Sequence, residues 1–195
     1  IRAIRGGEID LYGCIELNED LHDKAPDGSF CGIGAGMNGI VRFRDSDGSL
    51  SIGNGTLSTG YYGVIELGCK TASVTSWTAA NCLAINNSGR IDLHGTRTTL
   101  CSKMANGAVV GLEDDGHILA EGAKVIVKTQ SGSSSLVILQ KASMFMGGNF
   151  TVEGPGSIIF AAMSGSRLVC AANGKVADVG TDTGAYILMD CTDAP

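Results

Sequence analysis

The chain has 195 residues, 44% of them hydrophobic, enough to bury a core of ordinary domain size within one domain or at most two. A formal charge of −6 and the lack of a basic stripe in the sequence argue against a phosphate-binding surface, so nucleic acid is not an expected partner. No window approaches the 18 or so uninterrupted apolar residues of a membrane span, so no membrane insertion is expected.

The 29 glycines and only 3 prolines, with many Val, Ile and Thr, point to short strands joined by tight turns. In chain order the first such strand lies in "GEIDLYG" at 7–13, a frame that returns as "GRIDLHG" at 89–95. Residues 14–38, with "NEDLHDKAPDG", read as an irregular loop or first coil. A glycine two places ahead of a large apolar residue recurs along the chain. Gly7 precedes Ile9, Gly39 precedes Val41, Gly63 precedes Ile65 and Gly89 precedes Ile91; Gly116, Gly148 and Gly174 precede Ile118, Phe150 and Val176. These glycines are 24 to 32 residues apart, a spacing that signals a solenoid.

Between them lie two further series of strand-like segments. One runs "SLSIG" at 49, "SVTSW" at 73, "RTTLCS" at 97, "AKVIVK" at 123, "GSIIF" at 156 and "AYILM" at 185. The other runs "CLAIN" at 82, "AVVGL" at 108, "SLVILQ" at 135 and "RLVCA" at 167. Three strands per repeat make three sides. Asn-Gly at 38, 54, 106 and 173 supplies left-handed corners. Alternation places Ile9, Leu11, Ile65, Leu67, Ile91 and Leu93 inside and Asp10, Glu66 and Asp92 outside. In the last copy, "GKVADVG", Asp178 falls where a core residue belongs, as a terminal coil facing solvent would allow.

The expected fold is all-β, a right-handed three-sided parallel β-helix of about seven coils forming a single domain over 1–195. The alternative is an antiparallel sandwich or jelly roll, which does not predict a recurring phrase. The chain begins with Ile and reads as a piece of a longer protein. Seven scattered cysteines without a CxxC pair read as free thiols, with Cys82, Cys101 and Cys170 in apolar strands, and imply a reducing compartment.

A three-sided coil with outward acids, Gly/Asn corners and few charges resembles the shafts of bacteriophage tailspikes and tail fibres. Pectate-lyase-like enzymes and autotransporter adhesins share the coil logic, but adhesins of that kind generally avoid cysteine. The resemblance implies a homotrimer of the virion, assembled in the host cytoplasm with other tail proteins, that recognises and in some cases cleaves bacterial surface polysaccharide. It transfers no catalytic residue to this sequence.

Read from the residues alone, Glu66 and Asp92 fall on adjacent coils near the separation of about 5 Å used by retaining glycosidases, with His94 on the same face to assist proton transfer. Such outward acids are also an ordinary choice for a solvated strand. Trp77, Tyr61 and Tyr62 are the candidate sugar-facing aromatics. "LEDDGHILAEG" offers Glu113, Asp114, Asp115, His117 and Glu121, which also suit a corner. Asp45, Asp47 and Gly48 copy part of a calcium loop that fails at Phe43 and Asn54. "GIGAGMNG" at 32–39 lacks the following helix that phosphate binding requires. Asn-x-Ser/Thr sequons at Asn54, Asn86 and Asn149 occur at about chance number. No cofactor and no metal site are expected. The scarcity of aromatics favours a binding or structural module over a polysaccharide depolymerase.

Overall fold

In the computed structural model the described residues are 1–17, 31–77, 81–103, 108–128, 135–153, 158–173, 176–181 and 186–191. Among them the secondary structure is all strand. The first coil contains β1 (Arg2–Ile4), β2 (Glu8–Leu11) and β3 (Cys14–Leu17). The next holds β4 (Cys31–Gly36), β5 (Ile40–Phe43) and β6 (Ser49–Ile52), followed by β7 (Gly55–Gly60), β8 (Val64–Leu67) and β9 (Thr71–Ser76). Then come β10 (Leu83–Ile85), β11 (Arg90–Asp92), β12 (Arg97–Ser102), β13 (Ala108–Leu112), β14 (His117–Leu119) and β15 (Lys124–Lys128). The last coils use β16 (Ser135–Leu139), β17 (Met144–Glu153), β18 (Ile158–Ala162), β19 (Arg167–Asn173), β20 (Val176–Thr181) and β21 (Tyr186–Cys191).

Every pairing is parallel and joins a strand to its counterpart one coil away, so the chain is a parallel β-helix. Face 1 is an eight-stranded sheet in the order β1-β4-β7-β10-β13-β16-β18-β20. Eight stacked strands, one more than the seven coils expected, span about 34 Å at the usual strand spacing. Faces 2 and 3 share one sheet because β17 crosses the corner between them unbroken: Met144–Met146 pair with β14 on face 2, and Asn149–Glu153 pair with β15 on face 3. Gly147 and Gly148, at φ 81° and 90°, supply that bend. Farther along, β19 pairs with both halves of β17.

The corner between faces 1 and 2 explains the recurring glycine. Seven successive corners hold two residues with positive φ: Arg5–Gly6, Met37–Asn38, Tyr61–Tyr62, Asn87–Ser88, Asp114–Asp115, Lys141–Ala142 and Ser164–Gly165. Such pairs define the tightest two-residue turn. The turns stack through their own backbone ladder, as when Asn38 N donates to Tyr61 O at 3.0 Å and Tyr62 N to Asn87 O at 3.1 Å. The residue that follows lies against the preceding coil. A Cβ at Gly39 would stand 2.3 Å from the carbonyl oxygen of Ala3, and one at Gly63 would stand 2.2 Å from that of Ala35. Glycine is needed there for space.

After Gly116 the repeat departs from its expected positions. The residues that close the next two corners are Ser143 and Ser166, both fully buried, and not Gly148 and Gly174. Gly148 belongs to the bend inside β17, and Gly174 lies outside the described residues. The Ser143 hydroxyl donates to Gln140 O and accepts from Gly116 N at 3.3 Å, so it ties two coils together where glycine would leave space. The shift reassigns the segments downstream. "GSIIF" forms β18 on face 1, and "RLVCA" and "AYILM" run along faces 2 and 3 as β19 and β21. "GKVADVG" contributes β20 to face 1, and the side chain of Asp178 is not among those described. Of the Asn-Gly corners, Asn38 has the left-handed backbone, Asn54 is buried without it, Asn173 ends a strand, and Asn106 lies outside the described residues.

Inside, the alternation holds as read. Ile65, Leu67, Ile91 and Leu93 are fully buried, whereas Ile9 and Leu11 are only partly covered on the first coil. Cys69, Cys82, Cys101 and Cys170 are buried free thiols, and burial pushes the Cys82 thiol up to about 12. The Thr96 hydroxyl closes a face 2 to face 3 corner by donating to Leu67 O at 2.7 Å and Cys69 O at 2.9 Å.

Candidate functional site

On the outside of face 2, register places Asp10, Arg42, Glu66 and Asp92 in one row across β2, β5, β8 and β11. Glu66 and Asp92 are therefore direct neighbours on adjacent coils, as their spacing in the sequence indicated. Arginines accompany them. Arg42 reaches Glu8 at 2.7 Å and Glu66 at 3.3 Å, and Arg90 reaches Asp92 at 2.9 Å and Glu66 at 3.9 Å. His94 Nε2 lies 3.4 Å from Asp92 on the corner beyond. The result is an ion-pair ladder in which the two adjacent acids, Glu66 and Asp92, share the guanidinium of Arg90. The hydrogen bond to Glu8, together with the surrounding acids, raises the Arg42 pKa.

Asp92 differs from its neighbours. Its side chain is 4% exposed, against 28% for Glu66 and 58% for His94. Burial raises its pKa, Arg90 and His94 oppose the rise, and Glu66 adds to it. Its Oδ1 is buried without a hydrogen-bond partner. As they stand, these carboxylates can hold the coils in register. For Asp92 to donate a proton to a glycosidic oxygen, Arg90 and His94 would have to move aside.

The concave surface lies on face 1. In β4 the inward positions are Ile33 and Ala35, and the outward ones are glycines. Register continues one outward row as Gly34, Ser58, Ala84 and Gly111. Small residues therefore expose the sheet backbone along four coils. Two depressions follow this floor, one of about 240 Å³ bounded by Arg2, Ser58, Tyr61 and Asn86, the other of about 230 Å³ bounded by Asn81, Asn86, Glu113 and Gln140. Asn86 belongs to both, which makes them one shallow groove along the helix axis. Each is smaller than a typical small-molecule pocket, so the groove suits an extended chain laid along it. Its polar walls are amides, hydroxyls, one aromatic ring and Arg2 at one end; the carboxylate at its edge, Glu113, pairs with Lys141 at 3.1 Å.

The predicted aromatics separate. Tyr61 lines the groove, and Tyr62 beside it is 65% exposed. Both hold positive φ, an uncommon conformation for a bulky side chain. Trp77 sits at the opposite border of face 1, where its backbone N–H donates to Asn54 Oδ1 at 3.0 Å and Lys103 stands 5.3 Å above its ring. The six residues of β7 put about 20 Å between those borders. The acidic cluster forms a corner. Lys141 bonds Asp114 at 3.0 Å, Asp115 accepts from Ser88 at 3.1 Å and meets His117 at 3.0 Å. Asp45 likewise accepts from Gly13 N and Asp47 N, both at 3.0 Å, and so shapes its own turn.

Asn81 and Gln140 carry no signal of their own in the sequence, and Asn86 is marked there only as part of a sequon. The signal was present in "CGIGAG", where Ile33 and Ala35 alternate with glycine in strand rhythm, so the outward side is bare. In comparisons with family models, curated proteins and solved structures, none matched the chain.

Proposed function

We propose that the chain is a segment of a phage tailspike or tail fibre, a β-helical shaft that also holds bacterial surface polysaccharide in the face 1 groove without cutting it. In this reading three copies stand together in the virion beside other tail proteins. The observation that carries the proposal is the floor of the groove. Outward Gly34 leaves backbone uncovered beside Asn86 and Tyr61, and farther along the same floor the Asn81 amide lies over Gly111 with Gln140 lining the depression. Amides and hydroxyls over a flat floor match the alternating donors and acceptors of sugars, and an exposed tyrosine offers the ring on which a sugar stacks. Tyr61 and Tyr62 share the positive-φ turn of the other corners, and their rings stand exposed there without adding to the core, which favours a role at the surface.

A depolymerase using Glu66 and Asp92 has one observation in its favour, the raised pKa of Asp92 next to a second carboxylate. Against it stand Arg90 across the pair and the position of both depressions on another face. Binding of bacterial surface polysaccharide, measured alongside release of reducing ends, separates the two. Binding without product, lost in a Gly34→Val/Gly111→Val variant that fills the floor, supports the binding module. New reducing ends that vanish in Glu66→Gln or Asp92→Asn support the depolymerase. A monomeric mass in solution would remove the trimer.

A further inference from the structure

Face 3 carries a second surface, where cations stand together on a chain whose net charge is negative. Its outward positions form three rows. The row beside face 2 runs Thr71, Arg97, Lys124 and Asn149, and the middle row runs Ser51, Ser73, Thr99, Ile126 and Thr151. The third contains Thr75, Cys101, Lys128 and Glu153. Lys70 stands at the corner leading onto this face and Lys103 at the corner leading off it.

Arg97 and Lys124 are direct cross-strand partners, an arrangement of like charges that destabilises a sheet. On face 2 the like-charged cross-strand neighbours Glu66 and Asp92 are bridged by Arg90, which reaches both. Among the described residues no carboxylate pairs with Lys70, Arg97, Lys103 or Lys124, whereas Lys128 meets Glu153 at 3.5 Å. Lys70, Arg97 and Lys124 are exposed, and Lys103 lies over the Trp77 ring. A fold that needed only solvated strands would not stack these cations.

We infer that face 3 binds a linear polyuronate, laid along the helix axis over the border with face 2, with its carboxylates on Lys70, Arg97 and Lys124 on three successive coils and its hydroxyls on the Ser/Thr row. The cations repeat at one strand spacing, about 4.8 Å, close to the rise of one sugar in an extended chain. Charge complementarity selects an anion, and the middle row of hydroxyls selects a partner rich in hydroxyls. The acids around it, Asp45, Asp47 and Glu121 at the corner with face 2 and Glu16 and Glu153 at the ends, would repel the denser phosphate charge of a nucleic acid duplex. This surface is independent of the face 1 groove.

The test uses polygalacturonate as the probe, with its methyl ester as an uncharged copy of the same backbone and single-stranded DNA of equal charge as a second anion. Calorimetric titration of the whole chain reports the binding. Polygalacturonate is expected to bind and to weaken steeply between low and physiological salt. The Arg97→Gln/Lys124→Gln variant should bind about tenfold more weakly, the sum of two exposed charge contacts. Its melting temperature should not fall, because the substitutions relieve repulsion. Filling the face 1 groove with Gly34→Val/Gly111→Val should leave this binding intact. The inference is overturned if polygalacturonate does not bind, if the Arg97/Lys124 variant binds it equally well, or if the methyl ester or the DNA binds as tightly.

Discussion

Glycine serves two opposite purposes in this solenoid, and the corner between faces 1 and 2 contrasts with the floor of face 1. At the corner, Gly39 and Gly63 lie against the carbonyls of the coil before, with no room for a methyl group. On the floor, a Cβ at Gly34 would have Ser58 Oγ as its nearest neighbour at 3.5 Å, ordinary van der Waals contact. The backbone therefore requires glycine at the corner and only tolerates it at Gly34, whereas at Gly32 on the same strand a Cβ would stand 2.1 Å from Thr56 O. A glycine the fold does not need weakens its strand, so its presence points to what must come close to the sheet from outside.

Adding one methyl group at each site breaks the comparison most directly. Gly63→Ala puts Cβ 2.2 Å from Ala35 O and 2.4 Å from Ala35 C, atoms that cannot move without opening the ladder between coils. A loss of about 4 kcal/mol is expected, in the range reserved for backbone conflict and severe overpacking. Thermal denaturation should show it as a fall of about 10 °C in Tm for a chain of this size. An unchanged Tm would mean that the corner row does not depend on glycine. Gly34→Ala should act in the opposite direction, adding about 0.5–1 kcal/mol because alanine loses less entropy than glycine on entering a strand. A clear loss at Gly34 would show that the floor, too, is structurally committed.

What the sequence disclosed follows the same division. The positions that backbone geometry dictates were readable from residue type alone: the glycines from Gly7 to Gly116, the inward Ile65, Leu67, Ile91 and Leu93, and the Glu66–Asp92 juxtaposition that their register implies. The glycine signal failed after Gly116 because Ser143 meets the same demand by another route, its hydroxyl bridging coils where glycine leaves space. Gly148 then stood at a plausible interval while serving a different bend. The outer surfaces were less legible, since their content depends on which side chains adjacent coils bring together. A net charge of −6 conceals the basic face 3, whose cations are scattered in sequence from Lys70 to Lys128. Likewise the acids of face 2 were evident one by one, whereas Arg42 and Arg90, which neutralise them, become partners only through the stacking.

The smallest effect concerns Asp92, an outer-surface residue buried as deeply as many core positions. Its folded pKa is raised, chiefly by burial, so the folded protein holds this proton more tightly than the unfolded chain does. The sign follows from linkage: stability gained by protonation is complete below the ordinary carboxylate range and is lost as pH rises through that range to the raised value. Asp92→Asn removes the titrating group while keeping its size. Relative to this variant, the wild type should therefore gain stability as pH falls from neutral through the raised value towards the ordinary carboxylate range, a change of slope that denaturant titrations at several pH values would detect. A wild type that instead loses ground to the variant on acidification would show that Arg90 and His94 outweigh burial. Asp92 would then behave as an ion-paired member of the ladder, the condition already met by Glu66 between Arg42 and Arg90.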